Sequence, residues 1–302
     1  MNSTRGDLIS PEESRTAART KPRRRTGRPV GLMMPALVLT ALMFLIPIVS
    51  TVVRVVGDGG SGLARLFETP DFAHVMFNTV KWTVGATIGA MIIGYAGGIV
   101  LRAKQLRLTG LWRSLIMVPW IIPGVVGATI WRWSLSTDYG LVNRYLMDLG
   151  IVSQPVHWLS DPSMALWAVM VIQIWVTAPF VVLMVSAALA GIPEERYEAA
   201  RLDGASSLKM LWYITLPGIR TTTAVASLNL AIWALNSFTI IWVTTSGGPA
   251  GASTILPILL YQAFQNGDDS LVYAVAILQL AVGAVLAVLF ARTMRTDLQE
   301  QS

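Results

Sequence analysis

Six stretches of the chain are apolar over about the length, roughly 20 residues of helix, that crosses a hydrocarbon core some 30 Å thick. They run near Leu32 to Val53, Phe77 to Leu101, Ser114 to Leu135, Ala165 to Ala188, Thr222 to Thr245 and Leu271 to Ala291. A backbone in lipid must satisfy every N–H and C=O within the protein, and these runs lack the alternation of barrel strands, so they fold as helices. The predicted fold class is all-α and integral to the membrane, a bundle of six transmembrane helices.

With 54% apolar and 13% charged residues, the composition is that of a membrane protein. A net charge of +6 would suit nucleic acid if it formed one surface, but the basic residues lie in short segments between apolar runs. Eighteen of the twenty-three Lys and Arg fall in residues 1–29, Arg102 to Arg113, the segment around Arg196 to Arg220, and the C-terminal Arg292 and Arg295. By the positive-inside rule those segments and both termini face the cytoplasm, a parity that six crossings satisfy. Residues 1–29 are polar and Arg-rich, read as a disordered tail; the apolar run after them is too long for a signal peptide and is expected to stay as an anchor. The absence of cysteine excludes disulfides and thiolate chemistry, and His74 and His157 stand alone, so no metal site is expected.

Within the spans, Gly85, Gly89, Gly94, Gly97 and Gly98 let a neighbouring helix approach closely. Pro119 and Pro123 should kink or unwind the third span. Trp131, Trp133 and Trp158 sit near outer ends as interfacial anchors. The fifth span is the most polar. Asn229, Trp233 and Asn236 fall at i, i+4 and i+7 on one face, where they either line a path for a sugar-like solute or bond a neighbouring helix. Gln173 and Gln279 are further groups of that kind. No charged residue sits clearly mid-span, which argues against a proton-coupled carrier. The phosphate loop, the dinucleotide fingerprint, the zinc-protease motif and the nucleophile elbow are all missing, so catalysis by this chain is not expected and any nucleotide engine must be another polypeptide.

Between the fourth and fifth spans lies a charged island, residues 191–217 and on to Arg220. Pro193 suits a helix start, and Glu194 and Glu195 sit at its positive end. The helix is predicted to about Leu202, Asp203-Gly204 to end it, Ser206 to cap a second helix and Pro217 to close that one.

Three blocks here, Glu198-Ala199-Ala200, Asp203-Gly204-Ala205 and Ile214-Thr215-Leu216-Pro217, resemble the EAA loop of the membrane subunits of binding-protein-dependent ABC importers. Flanking runs extend the likeness: P-W-I-I-P-G-V-V-G from Pro119, W-L-S-D-P from Trp158, A-G-I-P from Ala190, T-S-G-G-P from Thr245, and the Tyr261 and Phe264 pair. Together they are similar to the carbohydrate branch that includes the maltose and glycerol-phosphate importers, without a large insertion between early spans. The resemblance implies a type I ABC importer permease fold over residues 30–302 in a bacterial inner membrane. It implies that Glu198, Ala199, Ala200, Arg201, Asp203 and Gly204 couple to an ATPase. The implied partners are a second homologous permease, two ATPase subunits that bind the ATP, and an extracytoplasmic solute-binding protein. Cofactors on this chain are none, and the cargo implied is a sugar or oligosaccharide. Importers of other solutes, secondary transporters and membrane enzymes are the competing classes.

Overall fold

The computed structural model describes residues 30–102 and 107–299; the predicted tail, 1–29, and part of the basic segment after Arg102 lie outside the described residues. In chain order the helices are α1 (Val30–Gly57), α2 (Ser61–Glu68), α3 (Phe72–Arg102), α4 (Thr109–Ile121), α5 (Gly124–Ser134), α6 (Leu141–Asp148), α7 (Ala165–Ala190), α8 (Glu194–Leu202) and α9 (Ser207–Met210). A π-helical turn, Leu211–Thr215, leads into α10 (Leu216–Gly218), α11 (Arg220–Leu235), α12 (Thr239–Thr244), α13 (Leu256–Gln265) and α14 (Asp269–Gln299). No strand occurs among the described residues. By contact the chain divides at Ile48, within α1.

Among the described residues four helices, α1, α3, α7 and α14, are long and apolar enough to cross a membrane unbroken, where six spans were expected, the third of them kinked or unwound. The third expected span is α4 plus α5, bent by 93°. The break falls at Ile122-Pro123, because Pro123 has no N–H to continue the ladder and holds its preceding residue extended, whereas Pro119 is absorbed inside α4. The fifth is also broken. Asn236 turns its Nδ2 onto the Ile232 carbonyl at 2.8 Å, beside its own backbone N–H, and α11 stops there. At 16 residues α11 is about 24 Å long, short of a full crossing.

The core is built on α3 and α7, which run side by side in the same direction. Gly85 lies against Met170, Gly94 against Val181, Gly97 against Val182 and Gly98 against Val185, so the expected small-residue seam is real and its partner is α7. On the opposite side of α3, Phe77, Val80, Val84, Ile88 and Ile92 form an exposed apolar stripe at helical spacing, suited to lipid. Trp82 is fully buried and donates its indole N–H to the Ala234 carbonyl at 3.0 Å, tying α3 to the end of α11. Asn78 donates to the carbonyls of Ala252 and Thr254, and Thr79 accepts from Leu256 N, so α3 also holds the segment that follows T-S-G-G-P. Trp131 and Trp158 correct the anchoring expectation: both pack against the core, Trp158 donating to Asn143 Oδ1 at 2.9 Å. Trp133 stays exposed.

Candidate functional site

Local chemistry shapes the island. Pro193 occupies the N-cap of α8, with Glu194 and Glu195 in the first turn and Arg201 in the last, each charge placed to suit the helix dipole. At the other end Gly204 takes φ +75°, while Ala205 N bonds Ala200 O and Gly204 N bonds Arg201 O. That paired pattern is the left-handed helix stop expected of Asp203-Gly204. Ser206 caps α9, its Oγ accepting from Lys209 N at 3.4 Å.

Pro217 does not close the second helix. The chain widens into the π turn at Leu211–Thr215, Pro217 falls in the first turn of α10, and the helical path pauses only at Ile219 before α11. The wider turn accommodates a residue without an N–H, so the proline need not end the helix.

Glu195, Arg196, Glu198, Ala199, Leu202 and Asp203 are exposed, Ala200 half-buried, and Leu202, 90% exposed, stands proud of the surface. Arg201 meets Glu194 of its own helix at 3.8 Å. Such an exposed pair contributes little, about 0–1 kcal/mol, so it leaves Arg201 available to a partner.

Only Tyr197 of α8 is buried. Its hydroxyl accepts from Arg102 Nη1 at 2.9 Å and lies 3.0 Å from Thr215 Oγ1, and the Arg102 guanidinium sits 4.5 Å from its ring centre. Arg102 also approaches Glu194 at 3.6 Å. These groups wall a cavity of about 780 Å³ with Arg201 and Ser207. Neither Tyr197 nor Arg102 stood out in the sequence, where 95 residues separate them.

The polar face of the fifth span is only partly assembled. Asn229 and Trp233 lie on α11, and Asn236 is the residue that ends it. Asn229 Nδ2 bonds Val225 O at 2.9 Å, and Asn236 Oδ1 accepts from Gln279 Nε2 at 2.9 Å. Gln173 is buried in α7, accepting from Ser237 Oγ at 3.1 Å across the break. Trp233 instead joins an aromatic trio: its ring centre lies 4.8 Å from Phe180 and 5.2 Å from Trp120, with Trp120 and Phe180 stacked at 5.3 Å. Trp120 and Trp233 each remain 36% exposed, presenting aromatic surface at the α4–α5 break. The signal for Trp120 was present in P-W-I-I-P, one residue after a helix proline; Phe180 likewise follows Pro179.

Residues 94–295, which carry all three blocks of the island, match the family described as the binding-protein-dependent transport system inner membrane component. The chain belongs to that family. A probable ABC transporter permease protein of Brucella suis biovar 1 (strain 1330) is 31% identical over 276 residues, covering 87% of this chain and 95% of the relative. The trehalose/maltose transport system permease protein MalF of Thermococcus litoralis is 34% identical over 214 residues, covering 71% and 72%. The bacterial alginate ABC transporter, solved with an alginate pentasaccharide-bound periplasmic protein, contains a chain that superposes with TM-score 0.78 at 20% identity, covering 88% and 93%. The fold is therefore that of a type I ABC importer permease.

The flanking runs are built elements here. In W-L-S-D-P, Asp161 stands just before α7 and takes hydrogen bonds from Ser163 Oγ and Ser163 N, both 2.7 Å. The Ser163 hydroxyl first, then its backbone N–H and the nearby His157, hold the Asp161 carboxyl below the usual carboxylate range against a small opposing effect of burial. In T-S-G-G-P, Thr254 Oγ1 and Ser253 Oγ donate to Gly247 O and Gly248 O and fold the loop on itself.

Proposed function

We propose that this permease is the membrane subunit of an ATP-driven importer of a sugar or oligosaccharide, with six crossings and both termini on the cytoplasmic side of the inner membrane. In this reading α4–α5 and α11–α12 are the two broken crossings, residues 1–29 are a basic cytoplasmic tail, and residues 30–302 are the transport domain. Within the island, residues 191–217, the exposed face of α8 and its Asp203-Gly204 end are the ATPase contact. The observation that carries the reading is the build of α8 within a chain of this family: one buried residue, a glycine-turned end and an otherwise exposed face with Leu202 at its tip. Small Ala199 and Ala200 let such a helix enter a partner's groove, with Glu198, Arg201 and Asp203 placed to pair at its rim. The chain binds no cofactor; ATP is bound by two partner ATPases, a second homologous permease completes the pathway, and an extracytoplasmic binding protein delivers the solute.

Support for a sugar comes from the names of relatives, trehalose/maltose in one and sulfoquinovosyl glycerol in another. The aromatic trio adds chemical support, because indole faces match the apolar C–H faces of a pyranose while amides serve its hydroxyls. Trp233 forms the flat wall of the solute path, Asn229 and Asn236 flank it, and Gln173 holds the break behind it. Opposed helix movements would expose this path to one side and then the other.

The test is co-purification with the partner subunits, reconstitution in liposomes, and ATP turnover measured against a panel of binding proteins and sugars. Turnover stimulated by one binding protein with its sugar is the expected result. Solute uptake that proceeds without ATP would sink the importer reading, and stimulation by an amino acid system alone would sink the sugar.

A further inference from the structure

The island must transmit force, and one side chain joins it to the spans. Tyr197 is the only buried residue of α8, 7% exposed, while the helix around it is open to solvent. Its hydroxyl has one proton to give and two lone pairs to fill. Arg102 Nη1 donates to it at 2.9 Å. Thr215 Oγ1 is within donating distance of Met210 O, 3.3 Å, so the Tyr197 proton is directed at Thr215 Oγ1, 3.0 Å away. Donors therefore run in one direction, from Arg102 to Tyr197, to Thr215, to the carbonyl at the start of the π turn. The chain of bonds crosses from the last residue of α3, through α8, to the helical segment that feeds α11.

Each end is mechanically anchored. Beyond Arg102, α3 is seated on α7 through Gly97 and Gly98, whose positions leave no room for a side chain beside Val182 and Val185. Thr215 lies a few residues before α11, which runs to the break at Asn236, and Tyr95 of α3 bonds Thr223 of α11 on the way. A displacement of α8 can thus reach the α3–α7 pair and the foot of α11 together. The ion pairs Arg102–Glu194 and Arg201–Glu194 are partly exposed and contribute less than the buried phenol.

We propose that Tyr197 is a positioning residue for transport: its hydroxyl, through Arg102 and Thr215, fastens the coupling helix to α3 and α11, so that ATP turnover and helix movement stay in step. This rests on the importer reading above.

The test uses the reconstituted complex with Tyr197→Phe, Thr215→Val and the double variant, measuring ATP hydrolysed per solute imported. Tyr197→Phe keeps the ring under Arg102 and removes only the hydroxyl. Each single variant should assemble, keep ATP turnover within about twofold, and raise ATP per solute about fivefold, the factor one buried hydrogen bond supplies. The double should be no worse than the worse single, because both cut the same chain of bonds. An unchanged ratio, or turnover and uptake falling in proportion, overturns the proposal. If Tyr197→Phe fails to assemble, Thr215→Val carries the same measurement. Should the wild-type complex import nothing, the importer reading fails, and hydrogen exchange on the full chain still tests the joint: amides of Glu194–Leu202 should exchange severalfold faster in Tyr197→Phe, and equal exchange overturns it.

Discussion

Val185 fills the space that a side chain on Gly98 would need. A Cβ at Gly98 would fall 2.6 Å from Val185 Cγ1 and 2.9 Å from its Cβ, with Ser186 N at 3.4 Å. Val185 is wholly buried and its Cβ is the stem of the side chain, so no rotamer change relieves the contact. The same seam continues upward at Gly94 and Gly85, which makes α3 and α7 one body along most of their length.

Replacing Gly98 with Ala should therefore destabilise the folded protein by about 1–3 kcal/mol, the usual cost of forcing extra volume into a packed contact. Thermal unfolding in detergent reads this as a lowered Tm. Gly110→Ala is the control, because nothing lies within 4 Å of a Cβ there. Equal Tm values for the two variants would mean that α3 and α7 separate easily.

Gly204 poses a different constraint. Its φ of +75° is in the left-handed region, yet a Cβ there would meet nothing within 4 Å. The cost of substitution is thus conformational and depends on residue type: about 1–2 kcal/mol for most side chains, more for β-branched ones and less for Asn. Gly204→Val should leave membrane insertion intact and lower ATPase stimulation several-fold, while Gly204→Asn should retain most of it. Equal loss in both variants would point to side-chain contact rather than backbone shape. Full stimulation in Gly204→Val would count against ATPase docking by the island.

Why those glycines were legible and other features were not comes down to how far each signal reaches along the chain. Pro193, Gly204 and Ser206 mark helix ends through bonds that span a few residues, and all three stand where the sequence placed them. Hydropathy located the long apolar stretches but averaged over the break at Asn236, where α11 ends after Leu235. Pro217 misled because its missing N–H can be absorbed by a wide turn as well as by a helix end. Tyr197 with Arg102, and Trp233 with Trp120 and Phe180, are encounters between distant segments. Periodicity along one helix carries no information about them.

That distinction separates the aromatic trio from the amide behind it. Trp233→Ala should raise the solute concentration for half-maximal uptake by up to about tenfold, since it removes an aromatic face of the kind whose pair contacts contribute 0.5–1.5 kcal/mol. Trp233→Phe should recover part of that loss. Gln173→Leu, which leaves the half-buried Ser237 Oγ without its acceptor, should lower Tm and leave sugar preference alone. A changed preference in Gln173→Leu with an unchanged one in Trp233→Ala would reverse these assignments.

Asp161 provides a pH signature outside the spans. Its carboxyl is held below the ordinary range in the folded state, first by the Ser163 hydroxyl and then by the Ser163 N–H and His157. A depressed folded value means that the ionised form is the one the fold favours. The contribution is therefore complete above the ordinary carboxylate range, near pH 4, and is lost as pH falls through the lowered folded value. Asp58 behaves similarly through Ser61 and Ser270, so the site is read by difference between variants rather than from the wild-type curve alone. Ser163→Ala removes the largest cause and should move part of the acid transition to higher pH. Asp161→Asn should remove this site's share of the pH dependence, and in that background Ser163→Ala should shift nothing further. Tm measured from pH 7 down to pH 3 in the three variants decides it; an acid limb of the same position in wild type and Ser163→Ala would show that these bonds do not hold the turn before α7.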